Sequence, residues 1–127
     1  MILKKLQHKW RVYRSKAHEK KKERTRSPKW HAVQHAYLQM KPRCEACGGL
    51  MELQVHHIQP FHLHPELELQ PSNLIALCMG EHECHLLIGH GGSFACYNPN
   101  IAVDAKQAYL NPNLLKAIQQ RAKLTRL

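Results

Sequence analysis

The sequence predicts an α+β fold, a small metal-stapled core flanked by helices, and three observations predict it. Two cysteine pairs, Cys44-x2-Cys47 and Cys78 with Cys84, bracket a segment too short to bury much apolar surface unaided. Between the pairs lie two short runs with strand character, over 51–58 and 74–77. Helix-start signals stand on either side, Ser27-Pro28 before and Asn98-Pro99 and Asn111-Pro112 after. A chain of 127 residues suits one domain with appendages. The division reads as a basic arm over 1–27, a core over 28–100 and a C-terminal helical extension over 101–127.

Within residues 3–24, Leu3, Leu6, Trp10, Tyr13 and Ala17 recur at three- and four-residue spacing and draw a narrow apolar stripe on a helix. The stripe fades where Lys20-Lys21-Lys22 begins. A second helix runs from Pro28 to about Gln39, with Trp30, Val33, Tyr37 and Leu38 on one side and Pro42 as its stop. Cys44-Glu-Ala-Cys47-Gly-Gly reads as a metal knuckle, its glycines free to turn the chain behind the ligands. The first strand, with Leu53 and Val55 on one face, delivers His56 and His57 at its end. Pro60, Pro65 and Pro71 make the next segment a loop. After the second strand, a helix starts at Cys84 and is interrupted at Gly89 or Gly91-Gly92. Two C-terminal helices close the chain, at about 99–110 and 112–125. Phe94 and Tyr97 are expected to pack the C-terminal segment onto the core, and Cys96 to be a small buried hydrophobe.

Charge narrows the function. Residues 1–30 carry twelve basic side chains, Lys4, Lys5, Lys9, Arg11, Arg14, Lys16, Lys20, Lys21, Lys22, Arg24, Arg26 and Lys29, against Glu19 and Glu23. The rest of the chain is balanced, so the formal +10 sits in the arm. A positive arm of this density is the footprint of a polyanion binder. No apolar run approaches the roughly 18 residues of a membrane span, and the first residues lack the apolar stretch of a signal peptide. Cys-x2-Cys spacing with an odd fifth cysteine argues for metal rather than a disulfide framework. A soluble, reducing, cytoplasmic setting is the expectation.

Thiolates are soft ligands suited to structural zinc, whereas a histidine cluster without thiolates can hold a catalytic ion and supply a base. The order Cys44-x2-Cys47, strand, Val55-His56-His57-Ile58, Pro60, Asn73-Leu74, Leu77-Cys78 and Cys84-His85 closely resembles the HNH endonuclease family, in particular its zinc-bound branch found in phage and bacterial nucleases. The resemblance covers about residues 28–90 and implies a ββα-metal core. It departs from the common Cys-x2-Cys-His closure by three extra residues between Cys78 and Cys84. His82 thereby becomes a second candidate for the fourth zinc ligand, with Cys84 preferred because it keeps the Cys-His step. Relatives also place a histidine four residues after the one matched by His85. Here His90 comes five residues on, off the face of a regular helix, and joins the site only if that helix has ended.

The resemblance implies roles. His57 is the general base for water, His56 and His85 hold one divalent ion, and Asn73 bridges the loop between the strands to keep the base in register. Cys44, Cys47, Cys78 and Cys84 hold structural Zn²⁺. The catalytic ion is expected to be Mg²⁺ or Mn²⁺ on abundance, with Ni²⁺ or Zn²⁺ the better chemical match to histidine. The partner is DNA, held mainly through its phosphates, and the products would carry 5′ phosphate and 3′ hydroxyl. The chain is expected to act as a monomer or homodimer. Since neighbouring strand residues face opposite ways, His56 and His57 can share a site only where the strand ends or twists. The reading from another class is a zinc-stabilised nucleic-acid-binding module that cuts nothing. His62 and His64 are expected to be exposed loop residues, and His8, His18, His31 and His35 have no spacing that marks a site.

Overall fold

The computed structural model describes residues 25–80 and 82–124. The expected helix over 3–24, with the arm's basic residues up to Arg24, lies outside the described residues.

The order of elements is helix α1 (Trp30–Met40), strand β1 (Leu53–His57), two short 3₁₀ turns (Pro65–Leu67 and Pro71–Asn73), strand β2 (Leu74–Cys78), a π-helical turn (His85–Gly89), and helices α2 (Ile101–Leu110) and α3 (Pro112–Leu124). This is a small α+β arrangement around a two-stranded antiparallel sheet, in accord with the expected class. Each element rests on local chemistry. Ser27 starts α1 through its carbonyl, which accepts from Trp30 N, and its Oγ, which accepts from Lys29 N. The helix begins two residues later than Pro28, which sits in the preceding turn. Pro42 lies just past its end, and Lys41 N closes the last turn on the Tyr37 carbonyl. Asn111 Oδ1 accepts from Leu114 N at the start of α3, with Pro112 in the first turn. Asn98 is fully buried; it takes Asn100 N on its Oδ1 and donates to the Ile88 carbonyl and to Asp104, which ties α2 to the π-helical turn.

The sheet is sandwiched. In the antiparallel register Val55 faces Ala76, His56 faces Ile75 and His57 faces Leu74. Val55, Leu74 and Ala76 pack with Trp30 and Tyr37 of α1, and Val33 and Leu38 lean on the same cluster. Ile75 and Leu77 belong to a second cluster with Cys44, Cys78, Cys84, Ile88, Ile101, Ala105, Leu115 and Ile118. The C-terminal helices therefore share their apolar contacts with the knuckle and the π-helical turn. Both faces of a hairpin of two five-residue strands are buried by different partners, which suits short apolar strands such as Leu74–Cys78, buried at every position. Among the described residues, no helix is long and apolar enough to cross a membrane.

Candidate metal centres and the histidine-lined cavity

The knuckle is built by local turns. Gly48 takes a left-handed turn (φ +77°) and its N–H closes on the Cys44 carbonyl, so the chain doubles back between Cys47 and the first strand. Glu45 secures the turn to the sheet, its carboxylate accepting from Ala76 N (2.7 Å) and from the Tyr37 hydroxyl (2.7 Å). Cys44, Cys47, Cys78 and Cys84 then offer four sulfurs within 4.8 Å of one another. Cys84 completes the set, while the backbone carbonyl of His82, the other candidate, accepts from Gln119. Cys47 Sγ and Cys78 Sγ lie 3.7 Å apart, close to the edge of about 3.8 Å of a tetrahedron with zinc–sulfur bonds of about 2.3 Å. Gly49 N and Cys84 N point at Cys47 Sγ and Cys78 Sγ, contacts that favour thiolates. Hydrogen bonds from Cys78 and Cys84 pull the Cys44 thiol down. Burial pushes Cys47 up to about 12, and Cys84 is raised by its hydrogen bonds to Cys44 and Cys78. Four clustered sulfurs that resist ionising together are a donor set that a thiophilic dication stabilises. The cluster can hold a structural metal such as zinc.

A second cluster lies where β1 ends. His56, on the face toward the π-helical turn, meets His85 and His90, and each of the three can offer one ring nitrogen within 4.8 Å of the others. His90 is brought in by the turn itself. His90 N bonds to the His85 carbonyl (3.0 Å) in the five-residue repeat of a π-helix, so the i,i+5 pair that a regular α-helix would splay is aligned. Their Nε2 atoms are 3.2 Å apart. The partners fix the tautomers. A carbonyl only accepts, so His90 Nδ1–H donates to the Cys96 carbonyl (2.7 Å), and a thioether only accepts, so His85 Nδ1–H points at Met79 Sδ (3.0 Å). Both Nε2 lone pairs then face one another. His56 Nε2 is buried with no hydrogen-bond partner among the described residues. Burial is the first cause holding all three below the ordinary imidazole value of 6.5, His85 down to about 4 and His56 well below, with the neighbouring imidazoles adding to it for those two. Neutral imidazoles with converging lone pairs and an orphaned buried nitrogen make a donor set that fits a divalent cation.

His57 reaches the same cavity from the other face of β1. Its ring stacks on Trp30 (centroids 4.5 Å, planes 28° apart). Nε2–H donates to the Glu68 carbonyl (2.9 Å), which leaves Nδ1 as the basic atom, and Arg26 Nη1 donates to Nδ1 at 3.3 Å. Burial lowers the His57 pKa, and the nearby Arg26 lowers it further against the opposing pull of Glu68. Asn73 is buried beneath the loop. Its Oδ1 accepts from Gln59 N (2.7 Å) and its Nδ2 donates to the carbonyls of Gln59 and Leu67, while Ile58 N bonds to the Asn73 carbonyl. It thus ties the strand end to the loop that carries Glu68.

Both histidine faces open into one cavity of about 460 Å³, lined by His56, His57, His85 and His90 with Arg26 and Phe61. Three features of this cavity differ from the expectations or lie beyond them. Phe94 is 56 % exposed and sets its ring edge-on against His85 and His90 instead of packing the C-terminal segment down, while Tyr97 is buried in the cavity wall. His62 lines the cavity, whereas His64 pairs with Glu66 on the surface. Trp30 and Glu68, which hold the His57 ring, carry no sequence signal beyond a helical apolar stripe and an ordinary loop acid. Of the twelve basic residues assigned to DNA, Arg26 and Lys29 are among the described residues, and Arg26 lines this cavity.

Residues 44–91 match the family model for HNH endonuclease, a span that holds both clusters, His57 and Asn73. No curated protein and no solved structure matches the chain.

Gly89 leaves room for the imidazole cluster. A Cβ there would stand 3.1 Å from Leu77 Cδ1 and 3.3 Å from His56 Cε1. Gly89→Ala is expected to weaken Ni²⁺ or Zn²⁺ binding at the imidazole cluster about tenfold, the lower end of what disturbing a ligand's support costs. Competition titration with a metal-sensitive dye checks this, and unchanged affinity would mean that the cluster yields to the added methyl group.

Proposed function

We propose, on the premise that residues 44–91 make this chain a member of the HNH endonuclease family, that the protein is a metal-dependent DNA endonuclease in which His57 Nδ1 is the general base. The observation that carries this reading is the placement of one neutral, oriented imidazole beside a second, ligand-like imidazole cluster in a shared cavity. A non-cutting binding module has no use for that pairing.

Hydrolysis of a phosphodiester faces a very high barrier, so the site must activate water, offset charge at phosphorus and ease the departing oxygen. Water enters within reach of Nδ1, which takes its proton as the oxygen adds to phosphorus. The bond to the 3′ oxygen then breaks and that oxygen takes a proton from solvent water, leaving 5′ phosphate and 3′ hydroxyl, as in the family. The Glu68 carbonyl fixes the Nε2–H tautomer and steadies the imidazolium that forms. Trp30 holds the ring plane, and Asn73 holds the loop that presents the Glu68 carbonyl, so Asn73 is a positioning residue. His56, His85 and His90 would hold the catalytic ion. When bound, that ion supplies Lewis-acid neutralisation of the phosphoryl and departing oxygens. Three imidazoles without a carboxylate suit Mn²⁺, Ni²⁺ or Zn²⁺ better than Mg²⁺, whose preferred ligands are oxygen. The four cysteines would hold structural zinc. The arm, from Lys4 to Lys29, would hold DNA through its phosphates.

The test is cleavage of supercoiled plasmid by wild type and His57→Ala, with Mg²⁺, Mn²⁺ and Ni²⁺ in turn. Wild type is expected to nick or linearise the plasmid, and His57→Ala to lose about 10³-fold or more in rate while keeping its fold and DNA affinity. No cleavage by either protein with binding retained would favour the zinc-stabilised binding module. The pH profile carries a further check. A base is active when unprotonated, and the His57 pKa lies below 6.5, so the rate should be flat through neutrality and fall only as pH drops below that value. For the arm, neutralising about five phosphates gives a slope of about −4.5 for log K against log salt. Deleting residues 1–24 should flatten it, and an unchanged slope would mean that the arm is not the anchor.

A further inference from the structure

Arg26 stands out among the described residues that line the catalytic cavity, because no other lysine or arginine is there. It is one of the last residues of the basic arm and is held in place from several sides. Its guanidinium lies 4.6 Å from the Phe61 ring centroid and 5.2 Å from that of Trp30. Nη1 is 3.9 Å from Glu68 Oε2. The same carboxylate accepts from Ser27 N with both oxygens (3.1 and 3.2 Å), which anchors the backbone beside Arg26. Glu68 therefore sets two partners at once, the Nε2–H of His57 through its carbonyl and the root of Arg26 through its side chain.

The consequence lies in where Nη1 points. It donates to His57 Nδ1, the lone pair that a general base must keep open for water. That acceptor is neutral and single, whereas a guanidinium carries five donors in a planar fork matched to an anionic phosphate. The side chain lines the cavity and remains half exposed, so an incoming phosphodiester can reach it.

We propose that Arg26 is the phosphate anchor of the cavity and that it masks the base until substrate arrives. In the resting protein the guanidinium caps His57 Nδ1. A phosphodiester draws it onto the non-bridging oxygens, which uncovers Nδ1 for water and sets a positive charge beside the phosphorus. Arg26 thereby couples substrate capture to base activation. This rests on the endonuclease reading above, and it moves Arg26 from the general phosphate contacts of the arm into the catalytic set.

The experiment compares single-turnover cleavage at saturating DNA by full-length wild type, Arg26→Ala and Arg26→Lys, with and without millimolar free guanidinium. A parallel titration of inorganic phosphate is followed through the His57 ring nitrogens by NMR in wild type and Arg26→Ala. Arg26→Ala is expected to lose about 10²-fold in rate, the scale of removing one preorganised donor to a developing charge. Arg26→Lys should recover part of that loss, since it restores charge without the fork. Free guanidinium should raise the rate of Arg26→Ala and leave wild type unchanged. Phosphate should shift the His57 Nδ1 signal in wild type and leave it still in Arg26→Ala. An Arg26→Ala rate within threefold of wild type overturns the proposal, as does a loss that neither lysine nor guanidinium recovers. If wild type cuts no DNA the endonuclease reading falls separately, and the phosphate titration decides the exchange at Nδ1: a shift in wild type alone supports it, and no shift overturns it.

Discussion

The pairing of His56 with Ile75 and His57 with Leu74 is the constraint on which the site depends. Side chains on a strand alternate, so a slip of one residue would exchange the two histidines between faces. His56 would then meet Trp30, and His57 would meet the imidazole pair of the π-helical turn. The register is locked because the two faces are buried by different partners. Leu74 and Ala76 fill the space under α1, while Ile75 and Leu77 fill the space under the knuckle and the C-terminal helices. Asn73 adds a lock at the open end, where its side chain and carbonyl bind Gln59 and Ile58 just past the last paired residue. Two adjacent residues thus open into one cavity from opposite faces of the strand, His56 within the imidazole cluster and His57 as a single imidazole oriented by the Glu68 carbonyl.

The same economy explains the polar centre of so small a body. Apolar clusters of modest size flank the hairpin, and groups that would otherwise be costly to bury lie between them. Four thiols form part of one cluster, and a His56 nitrogen without a hydrogen-bond partner among the described residues lies beside the π-helical turn. Buried donors and acceptors without partners destabilise a fold. Cations at the two clusters would turn that cost into cross-links between the knuckle, the hairpin and the turn. The π-helical geometry fits this view, because the wider repeat is what aligns His85 with His90 and exposes both lone pairs to His56.

Much of this architecture is legible in the sequence, and the parts that are not have physical reasons. The cysteine spacing, the His-His step after an alternating strand and the proline stops are local signals. They point to the hairpin, α1, the knuckle and the two C-terminal helices. The position of His90 is not legible, since five-residue spacing is read against the α-helix and a π-helical turn has no distinct pattern. Phe94 reads as a core aromatic because composition cannot tell a ring buried by packing from one laid against imidazoles. Trp30 is visible as part of a helical stripe, but its stack on His57 depends on how α1 crosses the sheet. Arg26 is lost among eleven other basic residues, and Glu68 in a loop, since both act through contacts more than thirty or forty positions away in the chain or through a backbone carbonyl.

One hairpin separates two candidate metal centres of different chemistry, sulfur-only on one side and imidazole-only on the other. Cobalt(II) titration of the metal-free full chain tests this most directly, read through thiolate-to-metal charge transfer and the ligand-field bands. Two ions per chain are expected. Charge transfer should saturate with one of them, and the other should change only the ligand-field bands and be lost in His56→Ala and His85→Ala. Binding of a single ion, or charge transfer that diminishes when those histidines are removed, would contradict the claim.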